Sequence, residues 1–261
     1  MSTIHGRMLR ILAPCAACVF ALSACTAGVP ASSSLPQSDD PVSLDPAEFT
    51  TEIDNPYWPM EPRTRWSYVE FDPEGGELTV DVIVTSETKT IANGIEARVV
   101  RDTVYRDGEI IEDTFDWYAQ DAAGAIWYLG EDTAEFENGE IVSREGSFEA
   151  GVDGALPGIA LPADPEPGMS YRQEYYAGEA EDNGAVLSVE ELVEVPYGRF
   201  ESALLTRDTN PLEPDVAELK FYAPGIGPVL TLDVSGGSGR EELVDVTTVP
   251  DGTGTGPLGS P

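Results

Sequence analysis

The chain has 261 residues, with 48 Asp and Glu against 14 Lys and Arg, a formal charge of −34, one His and three Cys. A surface of that sign repels nucleic acid and anionic headgroups, which excludes phosphate binding and leaves cations or a basic partner as what it attracts. Lysine occurs only at Lys89 and Lys220 and histidine only at His5, so chemistry built on imidazole or clustered amines has little to draw on.

Arg7 and Arg10 precede an apolar run, Ile11 to Ala24, of 14 residues. A spanning helix needs about 20, so the run has the length of a signal-peptide core. The residues that follow complete Leu22-Ser23-Ala24-Cys25, which resembles the lipobox of bacterial lipoproteins. By that resemblance residues 1–24 are a lipoprotein signal peptide, and Cys25 is the lipidated first residue of an exported, membrane-anchored chain. The anchor lies in the outer membrane or periplasm of a Gram-negative host, or on the outer face of the cell membrane of a Gram-positive one. Cleavage would remove Arg7 and Arg10, moving the charge from −34 to −36, and with them His5, Cys15 and Cys18. What remains has no imidazole and one thiol, so it can form no internal disulfide, Ser-His-Asp triad, Cys-His pair or His-ligated metal site. The sequence calls for no cofactor; oxygen ligands would suit Ca2+, held as a structural ion.

Residues 25–48, rich in Ser and Pro, read as the lipidated Cys and a flexible tether, 49–246 as a β domain, and 247–261 as a disordered tail. Within the domain, Thr79–Ile91 alternates apolar and polar residues through Val80, Val82 and Val84, the period of a half-buried strand. Turns at Ala92–Gly94, Arg106–Gly108, Asp121–Gly124 and Glu137–Gly139 separate further extended segments, and Asn-Gly and Asp-Gly suit tight hairpins. No window carries a long 3.6-residue apolar period. The fold is expected to be all-β and antiparallel.

Blocks of the first half recur in the second. PRTRWSYVEF at Pro62 aligns with PGMSYRQEYY at Pro167, and ETKTIANGIEARVVRDT at Glu87 with ELVEVPYGRFESALLTRDT at Glu191. DWYAQDAAGAIWYLG at Asp116 aligns more weakly with KFYAPGIGPVLTL at Lys220, placing Tyr118 against Tyr222. A small meander rarely buries its apolar face alone. Two tandem antiparallel β-meander repeats, about 56–130 and 167–246, are therefore expected to pack as one curved sheet, a half-barrel or a sandwich. The connecting hairpin and loop, 131–166, contains GVDGALPGIALPADPEPG, too rich in Gly and Pro for regular structure, and reads as a strap or binding loop.

NPYWPMEPRTRW, DWYAQD with WYLGE, and YAPGIGPV together resemble an uncharacterised bacterial lipoprotein family of secreted β-proteins. That family opens on an aromatic-Pro-x-x-Pro-Gly-Thr-x-Trp segment and closes on Tyr-x-Pro-Gly-x-Gly-x-Val. The resemblance covers roughly Asn55 to Val246 and implies a β fold and an exported location. It transfers no catalytic residue, and Arg63 stands here where the pattern has Gly.

Asp116, Asp121 and Glu131 fall beside Trp117, Tyr118, Trp127 and Tyr128 on one expected hairpin. The set could form a carbohydrate- or cation-binding face, or a carboxylate pair for glycoside hydrolysis. The plainer reading is cross-strand aromatic pairing with solvated acids on the outer face. Trp58, among three prolines, reads as a plug at one end of the core or as part of the site. The repeated Arg-Asp-Thr at 101–103 and 207–209 reads as strand-end polar structure, since adjacent strand residues face opposite ways. The function expected is non-enzymatic binding or scaffolding at the envelope, with an apolar ligand, a cation or an envelope protein as partner. A carboxylate-dependent carbohydrate-active protein, or a structural Ca2+-binding β-protein, is the alternative.

Overall fold

The computed structural model describes residues 35–71 and 76–260; the leader, Cys25 and the first part of the tether lie outside them. The alternating segments become long antiparallel strands. The first meander consists of β2 (Thr64–Phe71), β3 (Glu77–Thr90), β4 (Glu96–Arg106), β5 (Glu109–Asp121) and β6 (Ile126–Glu137), preceded by the two-residue β1 (Phe49–Thr50) on the edge of β5. Short strands follow: β7 (Glu140–Ser143), β8 (Phe148–Glu149), β9 (Leu156–Leu161), β10 (Ser170–Arg172) and β11 (Glu174–Tyr175). The second meander consists of β12 (Asn183–Val195), β13 (Gly198–Thr209), β14 (Ala217–Ala223), β15 (Gly227–Ser235) and β16 (Arg240–Thr248). Asp107-Gly108 and Asn138-Gly139 each place two successive residues at positive φ (54° and 82°, 53° and 79°). That is the type I′ geometry whose twist matches a hairpin.

Strand pairing runs β10-β12-β13-β14-β15-β16-β2-β3-β4-β5-β6-β9-β11. The last strand, β16, pairs with the first long one, β2, and so joins the two meanders edge to edge. At the other side β10 pairs with β12, while β11, one residue further along the chain, pairs with β9. Residues 170–175 thus serve both ends of the path, and the sheet nearly closes as a barrel. Of the three packings the sequence allowed, the curved, barrel-like one is realised. Of the aligned sequence blocks, those at Glu87 and Glu191 run into β4 and β13 and those at Asp116 and Lys220 into β5 and β14, while those at Pro62 and Pro167 put the eight-residue β2 against the short β10 and β11.

Trp66 and Tyr68 of β2 are buried and reach across to the start of β15. The indole Nε1 donates to Ile226 O at 2.8 Å, and the phenol to Pro228 O at 3.0 Å. Arg63 has φ 77°. This left-handed conformation is awkward for a side chain, but it is held by Arg63 N donating to Val84 O at 2.7 Å and Nε donating to Val249 O at 2.9 Å.

Three segments are more ordered than composition suggested. In the tether, Arg172 N donates to Pro36 O at 2.8 Å and its guanidinium to Asp40 O at 2.9 Å, so residues 36–40 are held against the closing strand. In the expected disordered tail, Val249 N donates to Arg63 O, the fully buried Arg101 guanidinium donates to Gly256 O and Pro257 O at 2.8 and 3.0 Å, and Gly259 N donates to Asp113 Oδ2 at 2.6 Å. Arg101 also pairs with Asp113, Nε to Oδ1 at 2.8 Å, and a buried guanidinium needs that many acceptors. In the Gly/Pro-rich loop, LPGIAL forms the buried strand β9. A Cβ on Gly158 would run into the Gln173 carbonyl, so this glycine permits close approach to residues 170–175 rather than marking a loop.

Candidate functional site

Alternation along the strands sends one set of side chains into the barrel, where a cavity of about 360 Å3 remains. Trp66 with Tyr68, Val100 with Asp102, Asp116 with Tyr118, and Lys220 with Tyr222 are i, i+2 pairs on its wall. Carboxyls converge from six places: Asp102 of β4, Asp116 of β5, Glu131 of β6, Glu174 of β11, Asp182 ahead of β12 and Glu241 of β16. Lys220 of β14 is the one basic residue on the wall, and its ammonium is shared between Asp208 at 3.1 Å and Glu218 at 3.3 Å.

Glu131 reaches the cavity through a break in regular pairing. Asp116 pairs with Glu131 but Tyr118 with Tyr128, so β6 carries one extra residue between these pairs. The bulge contains Gly130, at φ 129°, where a Cβ would strike the backbone of Phe148. It turns Tyr128 and Glu131, three apart in sequence, to the same side. Tyr128 Oη then lies 2.7 Å from Asp116 Oδ1 and 2.8 Å from Glu131 Oε2. A phenol has one proton to give. It donates to one carboxylate, and the other acid must keep its own proton and donate to the phenol oxygen.

The electrostatics agree with that count. Burial pushes Asp116 up to about 7; burial and then the charge of Asp116 push Glu131 up to about 8. Burial, reinforced by Glu70, pushes Glu241 up to about 7. Glu174 is raised well above the ordinary value by burial and then by Asp182, with which it shares a hydrogen bond, and Asp182 is itself raised by burial. Asp102 is raised well above it by burial, then by Asp116, and its Oδ1 is buried without a hydrogen-bond partner. Burial works against the Lys220 ammonium, but Asp208 and Glu218 outweigh it and keep it charged.

Aromatic rings form the apolar part of the wall. Trp58 sits between Tyr118 and Tyr222, ring centroids 5.3 and 5.8 Å away, and Tyr118 stacks on Tyr128 at 5.0 Å. The two tyrosines that clasp Trp58 are the pair aligned between the two halves of the sequence.

Of the residues singled out from sequence, Trp58, Asp116, Tyr118 and Glu131 meet at the cavity. Trp117, Asp121 and Trp127 do not line it. Trp117 faces the other side of β5, with Lys89 Nζ 3.1 Å from its ring centroid. Asp121 caps the β5–β6 turn, accepting from Ala123 N, Ala125 N and Trp127 Nε1 at 2.9, 3.0 and 2.9 Å, and Trp127 packs edge-on to Phe49. Asp116 and Glu131 are interior rather than solvated on an outer face. Asp102 and Asp208 of the repeated Arg-Asp-Thr both turn inward, whereas Arg101 is buried beneath the tail and Arg207 is exposed. Alternation alone would have placed Asp102 beside Val100; nothing short of the strand order brings Glu174, Asp182, Lys220 and Glu241 to the same wall. Among the described residues no group of three or more Asp or Glu is close enough to hold a metal ion.

No family model matches the chain and no curated protein matches it. Three solved structures are similar at low identity. A Bacteroides fragilis protein assigned as exported, with a YmcC-like fold, gives a TM-score of 0.44 at 13% identity over 74% of this chain and 99% of its own. A Parabacteroides distasonis protein assigned as a lipoprotein gives 0.40 at 12% over 73% and 98%. A β-barrel-like protein of Brucella abortus, from a domain family of unknown function, gives 0.36 at 14% over 72% and 98%.

Proposed function

We propose that this is a lipid-anchored envelope protein that acts by non-enzymatic binding, with the barrel interior as its ligand site. The observation that carries the reading is the cavity of about 360 Å3 itself, within the size range of small-ligand pockets and lined by aromatic rings and convergent polar groups. A barrel of this kind can fill its interior with side chains; here the interior keeps space and carboxyls together. Anchoring rests on the lipobox-like LSAC and Cys25.

The glycosidase alternative is favoured by one feature, the closeness of Asp116 and Glu131. It meets an obstacle: Tyr128 Oη bonds to both acids, filling the space between them that a reacting carbon would need.

Native mass spectrometry of the protein exported by its own host tests the binding role. Extra mass that disappears on mild unfolding is expected, and a clean apo mass together with no binding of any small-molecule probe would overturn it. Cys25→Ala should release the protein from the membrane fraction; retention there would overturn the anchor.

A further inference from the structure

We propose that the barrel's ligand is a small organic ammonium, held by the interior carboxyls and capped by the Trp58, Tyr118 and Tyr222 rings. The inference rests on the binding reading above and names the ligand class. The wall carries six carboxyls, and its one basic residue, Lys220, is already shared by Asp208 and Glu218. A protonated amine is all donor and positive, so it complements this wall, whereas an anion is repelled by it.

A second observation points the same way. Asp102 lines the cavity with a buried Oδ1 that has no partner in the protein, the state of a group waiting for a donor from outside the chain. The aromatic rings add the faces on which organic cations rest. A metal ion fits less well, because it needs several oxygens on one centre, and these carboxyls are spread around the wall.

Without a ligand, protons take the cation's place: Tyr128 can satisfy Asp116 and Glu131 together only if one of them is protonated. An incoming ammonium therefore displaces protons, and its affinity rises with pH through the interval in which Asp116, Glu131 and Glu241, at about 7, about 8 and about 7, ionise. Facing them are Asp102, Glu174, Asp182 and Lys220.

The probes are choline, putrescine, 3,3-dimethyl-1-butanol (the uncharged analogue of choline) and glucose, titrated into the intact protein by calorimetry and Trp fluorescence. Putrescine is expected to bind, with proton release, more tightly at pH 8.5 than at pH 6, and choline, a cation without an N–H to donate to Asp102, more weakly than putrescine. Asp102→Asn and Glu241→Gln should each weaken binding about tenfold or more, as expected when a charge-assisted bond becomes neutral. Glu109→Gln, the same charge change on an exposed residue, should leave it unaltered. Circular dichroism melts establish that each variant is folded. Binding of dimethylbutanol or glucose but of neither amine, or amine binding indifferent to both cavity variants, overturns the ammonium assignment while leaving a binding module. Absence of all binding, with a clean apo native mass, overturns both.

Discussion

Replacing Glu131 by Gln should stabilise the protein, and increasingly so as pH rises. In the unfolded chain Glu131 ionises near its ordinary value of 4.5; in the barrel, burial and the charge of Asp116 hold its proton to about 8. The folded state therefore binds more protons than the unfolded one between those limits. Wild-type stability is full below about pH 4.5, falls as pH rises, and has lost this contribution completely above about pH 8. At about 1.4 kcal/mol per pH unit the gap between 4.5 and 8 corresponds to a ceiling of about 5 kcal/mol. Relaxation of a buried site reduces this, and about 1–3 kcal/mol is the expected gain at pH 8.5. Gln keeps the shape, does not titrate, and its amide can still donate to Tyr128 Oη. For a domain of this size each kcal/mol moves Tm by about 2–4 °C. Thermal melts should thus show the variant about 3–10 °C above wild type at pH 8.5, with a clearly smaller difference at pH 5. A difference independent of pH, or one that shrinks toward pH 8.5, would refute the assignment of Glu131 as a buried, proton-holding acid.

Gly130→Ala should cost about 2–4 kcal/mol, because the bulge leaves no room for a Cβ against Phe148 and holds φ at 129°; a urea midpoint unchanged from wild type would refute the bulge. Arg101→Leu leaves Asp113 buried without its cation and should cost about 3–5 kcal/mol. It should also free the tail, read as faster amide exchange at Gly259, and unchanged protection there would show that the tail is held by other contacts. Asp121→Ala removes three hydrogen bonds from the β5–β6 turn and should cost about 1–3 kcal/mol in denaturant melts without changing ligand affinity; a loss of affinity at equal foldedness would return Asp121 to the site.

The strands were legible because alternation of the kind seen at Val80, Val82 and Val84 is a local property, and so were the hairpins, because Asp-Gly and Asn-Gly report positive φ directly. The wall of the candidate site was legible where it lies on one hairpin, at Asp116, Tyr118 and Glu131. It was illegible where partners meet from distant strands: Glu241 and Glu174 approach Asp116 only because β16 pairs with β2 and residues 170–175 pair on both sides. Trp117 and Asp121 were misplaced for related reasons. Trp117 neighbours Asp116 in sequence and so faces away from it, while Asp121 satisfies its own turn. The tail and tether misled because composition records the low apolar content of a segment, whereas Arg101 and Arg172 bind its backbone carbonyls, which every sequence has.

The acidic interior bears on function through its cost. Carboxyls are seldom buried unless paired, and packing a barrel interior with Val or Leu would be the more stable solution. Much of this barrel does so, with Val84, Ile95, Leu129, Leu204 and Leu243 buried. The departure is confined to one region where six carboxyls, aromatic rings and unfilled volume coincide. Local departures from good core chemistry, set in an otherwise consistent fold, mark functional sites more often than accidents. The bulge at Gly130 argues further against accident, since regular pairing would turn Glu131 or Tyr128 away from the cavity and relieve the crowding of charge. The fold keeps a glycine where no side chain would fit and thereby brings a second acid onto the first, an arrangement that a bound cation or a retained proton stabilises.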